Sequence, residues 1–134
     1  MTIRKDFLRS LIECSQLKGL EIGALDSPLV TPEELADQGK IYYLDHLSTE
    51  DLRSKYQHDD SVNLDNIVSI DFICPDGDLV KATNEEMFDY VIASHVVEHT
   101  PDLLNFLKEI NNILRPGGIL FLVIPDKRFT FDSN

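Results

Sequence analysis

The chain has 134 residues, a length typical of a single domain with one hydrophobic core. Hydrophobic residues make up 43% of it, which is enough to bury a core and excludes an intrinsically disordered chain. Twelve Lys and Arg stand against 24 Asp and Glu, and the resulting charge of −12 disfavours binding to the phosphates of nucleic acid.

The cysteines and the apolar runs indicate in which compartment of the cell the chain is expected. Cys14 and Cys74 lie far apart without a C-x-x-C spacing, so neither a disulfide framework nor a cysteine zinc site is indicated. The longest strongly apolar run, Ile119–Pro125, is much shorter than the about 20 residues of a membrane-spanning helix. We therefore expect a cytoplasmic protein with no membrane contact.

The first predicted element is an amphipathic helix over residues 6–17. Four apolar residues repeat at helical spacing there: Phe7, Leu8, Leu11 and Ile12. Gly19 is expected to end the helix. Residues 1–18 then form an N-terminal helical segment and residues 19–134 the core, so we expect residues 1–134 to be one domain.

Five short apolar runs follow and predict β-strands. They are rich in Ile, Val, Phe and Tyr, and most of them do not alternate with polar residues, as in parallel strands buried on both faces. The predicted strands are Leu20–Ala24, Ile41–Leu44, Ile67–Phe72, Phe88–Ala93 and Ile119–Ile124.

Helical patterns lie between these strands. Prolines after the first strand limit the first crossover helix to a short segment, Pro32–Gln38. Ser48 as N-cap opens a helix that ends near Gln57, and Thr100 as N-cap opens a longer helix that ends before Gly117. Strands that alternate with helices predict right-handed βαβ units, and therefore an α/β fold with a doubly wound parallel sheet.

Residues that could bind a ligand follow directly after the predicted strands, where ligands bind in doubly wound sheets. Gly23 allows the backbone to turn tightly and to approach a ligand closely. Asp45 follows about 20 residues later, the spacing at which an acidic side chain binds the hydroxyls of an adenosine ribose. His46 is expected to line the same adenosine pocket.

The segment after Leu20 resembles the first motif of class I S-adenosylmethionine-dependent methyltransferases, acidic-x-Gly-x-Gly-x-Gly. Glu21, Gly23 and Ala24 match the opening of that motif. Leu25 and Ser27 stand where its second and third glycines usually are.

Three further segments match this family in order and spacing. Asp71 and Phe72 occupy the place of the acidic residue that, in the family, follows the third strand and reaches the adenine. Residues 88–99 resemble the fourth motif and its turn, and residues 114–118 resemble the turn into the fifth strand. The ending, residues 124–132, is most similar to methyltransferases that accompany sugar-transferring enzymes of surface polysaccharide synthesis.

The resemblance implies a Rossmann-like sheet with strand order 3-2-1-4-5, S-adenosylmethionine as cofactor, and methyl transfer to a small-molecule or saccharide acceptor. Its implied cofactor-binding residues are Glu21, Gly23 and Ala24 at the methionine part, Asp45 and His46 at the ribose and its pocket, Asp71 and Phe72 at the adenine, and Ser94 and His95 at the inner face. His99 is the expected general base, because a neutral imidazole near pH 7 can accept a proton from the acceptor. Asp126 is the second candidate.

Two other enzyme classes are weighed against this interpretation. The segment His95–His99 spells H-x-x-E-H, the inverted zinc-protease signature, but both histidines would need one helix beneath them and a third ligand elsewhere. The predicted helix begins only at Thr100, so we expect no metal site. A nicotinamide-dependent oxidoreductase would show G-x-G-x-x-G entering a long helix, which Leu25 and the following prolines disfavour.

The predicted sheet stops after its fifth strand, whereas the family usually continues with a helix and an antiparallel strand pair. An apolar edge strand recruits other chains through its free N–H and C=O groups. We therefore expect either a catalytically incomplete cofactor-binding module, or part of a longer enzyme, or a homo-oligomer that associates through the edge of the fifth strand.

Overall fold

The computed structural model describes residues 17–35, 39–94 and 102–123. The strands in these ranges are β1 (Lys18–Ile22), β2 (Lys40–Asp45), β3 (Phe72–Ile73), β4 (Phe88–Ser94) and β5 (Leu114–Val123). They pair in parallel in the order β3-β2-β1-β4-β5, which confirms the predicted doubly wound, Rossmann-like sheet.

The helices of the described ranges are α1 (Thr49–Lys55), α2 (Leu79–Ala82) and α3 (Leu103–Ile113), with short 3-10 helices at Pro32–Glu34 and Leu64–Asn66. Ser48 is the N-cap of α1 as predicted, and its Oγ accepts a hydrogen bond from the Asp51 N–H at 3.1 Å. In the first crossover, where the sequence predicts a short helix over Pro32–Gln38, the described residues form the 3-10 helix Pro32–Glu34. Residues 36–38 are not among the described residues. The predicted N-terminal helix also lies outside it, apart from Leu17.

The third predicted strand, Ile67–Phe72, is wrong over most of its length. The Thr49 hydroxyl donates to the Val68 carbonyl and accepts from the Ile70 N–H, at 3.0 and 2.9 Å. The Val68 N–H donates to the Leu25 carbonyl at 2.9 Å. Because these backbone groups are already satisfied outside the sheet, the ladder with β2 contains only the two residues of β3.

Two predicted boundaries near the C-terminal end of the sheet are also wrong. The N-cap of α3 is Asp102 instead of Thr100, and its carboxylate accepts from the Asn105 N–H at 3.0 Å. The strand β5 begins at Leu114, because Leu114 already pairs with Phe88. The predicted turn at residues 114–118 is therefore an irregularity inside a parallel pair of strands, which the pattern of apolar residues does not reveal.

Apolar side chains cover both faces of the sheet. The first core cluster includes Leu20, Ile22, Leu44, Phe72, Phe88, Val91, Ile110 and Ile113, and the second includes Ala24, Val30, Ile41, Tyr43, Tyr90 and Ile92. Gly19 is required beneath the second cluster, since an added Cβ would lie 2.0 Å from the Tyr90 ring. The two layers fix the carboxyl ends of the central strands, where the loops of the site begin.

Within the same described ranges, no helix is both long enough and apolar enough to cross a membrane.

Candidate functional site

A cleft of about 1030 Å³ opens at the carboxyl ends of β1, β2, β3 and β4. It lies where the strand order of a doubly wound sheet predicts a ligand. Its described lining includes residues 22–27 after β1, Leu44 to His46 after β2, Lys55, Tyr56, Ser61 and Val62 beyond them, residues 74–77 and Leu79 after β3, Ser94, and Asp102, Asn105 and Phe106 of α3.

Asp45 and His46 form the polar floor of the cleft. The Asp45 Oδ1 accepts from the His46 backbone N–H at 2.7 Å and lies 2.6 Å from the His46 Nδ1. Lys55 approaches the other side of the ring, with its Nζ 3.2 Å from the His46 Nε2. A neutral ring protonated at Nδ1 satisfies both contacts, because Nε2 then accepts from the Lys55 ammonium. Among the described residues, both contacts to Asp45 use Oδ1, so Oδ2 is available to a ligand.

The loop after β1 forms one wall of the cleft, and its backbone conformation is unusual. Gly23 has a φ of 76°, and its N–H donates to the Leu44 carbonyl at 3.1 Å. A tight turn follows, in which the Ser27 N–H donates to the Ala24 carbonyl at 3.0 Å. Gly23 and Ala24 are among the residues that line the cleft.

Glu21 does not line the cleft. It is fully buried, and its carboxylate accepts from the backbone N–H groups of Leu29 and Val30 at 3.0 to 3.4 Å. Since side chains alternate across a strand, Glu21 lies on the opposite face from Leu20 and Ile22. Glu21, the acidic residue of the first motif, therefore holds the loop after β1 at Leu29 and Val30. The resemblance predicts Glu21 at the border of the methionine part instead.

Asp71 and Phe72 also lie outside the cleft, contrary to the predicted adenine site. The Asp71 Oδ2 accepts from the Tyr43 N–H at 2.9 Å, and Phe72 packs in the core against Phe88 with ring centroids 6.4 Å apart. The physical reason is the late start of β3, whose carboxyl end is Ile73. The chain enters the cleft only afterwards, at residues 74–77.

Cys74 and Asp76 are the cleft residues of this segment that sequence reasoning missed. The Pro75-Asp76-Gly77 turn signal marks the true end of the third strand and could have located them. The Cys74 N–H donates to the Asp45 carbonyl at 2.8 Å, which joins the ends of β2 and β3. Burial raises the pKa of the Cys74 thiol, so this side chain favours packing over nucleophilic chemistry.

Ser94 ends β4 on the inner side of the cleft and is 5% exposed. Within the described part of the chain its buried Oγ has no hydrogen-bond partner. Buried hydroxyls are almost always paired, and Ser94 lines the cleft. The predicted residues His95, His99 and Asp126 lie outside the described residues, and no cluster of three or more metal-binding side chains occurs within them.

Residues 20–122 of the chain match the family described as methyltransferase domain. The chain belongs to this family. It is a member of the class I S-adenosylmethionine-dependent methyltransferases, and S-adenosylmethionine is the cofactor of the class.

Individual relatives agree with the family match. A ubiquinone biosynthesis O-methyltransferase of Parvibaculum lavamentivorans is 36% identical over 55 residues, which cover 41% of this methyltransferase chain and 21% of the relative. A demethylmenaquinone methyltransferase of Geobacillus stearothermophilus is 26% identical over 124 residues, which cover 87% of this chain and 48% of the relative. The chain therefore spans less than half the length of these curated relatives.

The fold is also found among solved structures. An O-methyltransferase of Bacillus cereus, solved in complex with S-adenosylhomocysteine, superposes with a TM-score of 0.58 at 20% identity. The superposition covers 90% of this methyltransferase chain and 55% of the other chain. At that identity the likeness supports the sheet order and the layer arrangement.

Proposed function

We propose that the chain binds S-adenosylmethionine in the cleft and transfers its methyl group to a small-molecule or saccharide acceptor. The observation that carries the proposal is Asp45, a nearly buried carboxylate at the end of β2 whose Oδ1 is held by His46. A carboxylate fixed in this way offers its second oxygen to the hydroxyls of a ribose without reorganisation.

Other residues of the cleft would contact the remaining parts of an adenosine cofactor. Gly23 and Ala24 would border the methionine part. The Ser94 hydroxyl, which has no partner among the described residues, would meet a polar group of the cofactor on the inner face. His95 is proposed beside Ser94, from its position in the sequence. In place of Asp71, we propose that Asp76 accepts a hydrogen bond from the adenine amino group.

S-adenosylmethionine supplies a methyl group already activated by the sulfonium. The residues of this chain then have to hold the cofactor and the acceptor in line and to exclude water. When the acceptor is a hydroxyl, a base must also remove its proton. His99 is the proposed base and Asp126 the second candidate, both from their positions after predicted strands.

The acceptor class rests on two kinds of support. The resemblance of residues 124–132 to methyltransferases of surface polysaccharide synthesis favours a saccharide. The relatives named above act in ubiquinone biosynthesis and on demethylmenaquinone, which favours a small-molecule acceptor. A methyl-transfer assay should therefore compare sugars and quinone precursors directly.

The surroundings of the enzyme are also part of this proposal. The net charge of −12 favours a chain without nucleic-acid partners, and its composition favours the cytoplasm. The edge of β5 is the proposed contact between copies of the chain, since it is a ten-residue strand that pairs on one side with β4 within the described sheet.

Calorimetry with S-adenosylhomocysteine on the full chain and on Asp45→Ala tests the cofactor site. Loss of a charge-assisted hydrogen bond should weaken binding by about 1.5 to 3 kcal/mol. Asp60→Ala is the matched control, because Asp60 is exposed and lies outside the described lining of the cleft. Equal affinity of the Asp45 variant and the wild type would contradict the assignment. Tight binding of NAD or Zn²⁺ in place of S-adenosylhomocysteine would favour the other enzyme classes.

The role of His99 has its own test. His99→Asn should lower kcat for a hydroxyl acceptor while the affinity for S-adenosylhomocysteine stays unchanged, because general-base catalysis contributes about 10²- to 10⁴-fold. An unchanged kcat would remove His99 from the mechanism and leave Asp126→Asn as the next variant to measure.

A further inference from the structure

Leu25 combines a lining position in the cleft with a backbone conformation that leucine rarely adopts. Its φ is 52°, in the left-handed region where a Cβ is crowded by the following carbonyl. It is the first central residue of the turn closed by the hydrogen bond between Ser27 and Ala24. Turns with a positive φ at that position usually contain glycine there. The chain thus keeps the backbone of a glycine loop while it carries a leucine side chain.

The surrounding contacts hold this conformation on both sides of Leu25. The Leu25 carbonyl accepts from the Val68 N–H at 2.9 Å, and the Asp26 Oδ2 accepts from the Asn63 N–H at 2.8 Å. On the other side, Gly23 is bonded to the end of β2. Because the loop is anchored at several points, the strain at Leu25 is imposed by the fold, and a smaller residue at this position would keep the same backbone path.

We propose that Leu25 is a specificity-determining residue, whose side chain forms the apolar contact with the methionine part of S-adenosylmethionine. The proposal rests on the proposed function of the cleft. Leu25 is half-buried and lines the cleft beside Gly23 and Ala24, which offer at most one methyl group. The methylene chain next to the sulfonium needs an apolar wall, since it cannot form hydrogen bonds. A leucine contact of this kind explains why a strained side chain stands at a position suited to glycine.

The chain contains a matched control for backbone strain. Glu85 has a φ of 63°, close to that of Leu25, but it is exposed and lies outside the described lining of the cleft. Glu85→Gly therefore removes the same kind of strain at a distance from the ligand. Any change in Tm that comes from the relief of backbone strain alone should appear in both variants.

The experiment titrates the full chain, Leu25→Gly and Glu85→Gly with two probes, S-adenosylhomocysteine and adenosine, and records the thermal unfolding of each protein. Adenosine lacks the methionine part. We expect Leu25→Gly to weaken S-adenosylhomocysteine binding about tenfold, as loss of a buried leucine contact requires, with adenosine binding unchanged. Its Tm should not fall, and Glu85→Gly should bind both probes like the wild type.

Equal weakening of both probes by Leu25→Gly, or no weakening of either, would overturn the proposal. If Leu25→Gly does not fold, Leu25→Asn replaces it, since asparagine tolerates the left-handed conformation and has a similar size but a polar end. That variant must show the same selective loss for S-adenosylhomocysteine. A wild-type chain that binds neither probe would contradict the proposed function itself, which separates that failure from the failure of the Leu25 contact.

Discussion

Two buried tyrosines on the same face of the sheet have different surroundings. The Tyr43 hydroxyl donates to the Val30 carbonyl at 2.5 Å and so ties the loop after β1 to β2. The Tyr90 hydroxyl is buried and has no hydrogen-bond partner in the described part of the chain. Removal of the same oxygen atom should therefore have opposite effects at the two positions.

Tyr43→Phe should lower the free energy of unfolding by about 1 to 3 kcal/mol, because the buried Val30 carbonyl loses its partner. Tyr90→Phe should leave the free energy of unfolding unchanged or raise it by up to about 1 kcal/mol, because it removes a buried hydroxyl that has no partner among the described residues. Urea unfolding of the two variants and the wild type measures both effects. A loss in Tyr90→Phe as large as that in Tyr43→Phe would show that the Tyr90 hydroxyl is paired.

The same two side chains predict a dependence of stability on alkaline pH. Burial, reinforced by the nearby Glu21 carboxylate, raises the pKa of Tyr43 and of Tyr90 well above the ordinary value of 10. The folded state therefore keeps the phenol protons that the unfolded state loses above pH 10. Their contribution to stability is complete below pH 10 and falls above it, by about 1.4 kcal/mol per pH unit for each tyrosine.

Urea unfolding at several pH values between 9 and about 11 checks this slope. The double variant Tyr43→Phe with Tyr90→Phe should show a much flatter dependence. A slope equal to that of the wild type in the double variant would assign the alkaline loss of stability to other groups.

At the scale of elements, the two edge strands of the described sheet, β3 and β5, differ in length. At one edge, β3 has two residues, because Val68 and Ile70 before it bond to Thr49 and Leu25 instead of to β2. At the other edge, β5 has ten residues and carries Ile119, which is 41% exposed. A long apolar edge strand favours association, whereas a short edge strand does not.

We expect the 134-residue chain to self-associate through β5, with a weight-average mass that rises with concentration in light scattering. Ile119→Lys should shift the chain toward monomers, since a charge on an edge strand disfavours pairing. Leu104→Lys is the matched control, because Leu104 is 76% exposed but lies on α3. Equal effects of the two variants would indicate general hydrophobic association, and a monomer at all concentrations would contradict the β5 contact.

At the scale of the whole molecule, the acidic charge opposes folding. The described ion pairs between charged side chains include two at the amino ends of strands. Lys18 of β1 pairs with Glu86, and Arg115 of β5 pairs with Asp89. They are partly exposed and contribute little, whereas a net charge of −12 repels itself in the compact state.

Added salt should therefore stabilise the chain at pH 7. A rise in ionic strength from about 0.01 to 0.15 M shortens the Debye length from about 30 to 8 Å and screens the repulsion more than it weakens the few ion pairs. Thermal unfolding at both salt concentrations measures the shift in Tm. The shift should disappear near pH 4.5, the isoelectric point, and a lower Tm in salt at pH 7 would show that the ion pairs dominate.

Local pattern was enough to predict the parallel α/β sheet and the N-cap at Ser48, because apolar runs and caps follow short-range rules. The family resemblance, in contrast, supplied the strand order, and Gly23, Ala24, Asp45, His46 and Ser94, which directly follow or end strands, line the cleft. Tertiary packing decided the rest. Glu21 lies outside the cleft because its carboxylate is hydrogen-bonded to the loop after β1. Asp71 and Phe72 lie outside it because Asp71 bonds to Tyr43, Phe72 packs in the core, and Thr49 holds the segment before β3. These contacts set the register between neighbouring strands. Such register depends on contacts between residues distant in the sequence, and a one-residue change moves a side chain to the other face of the sheet.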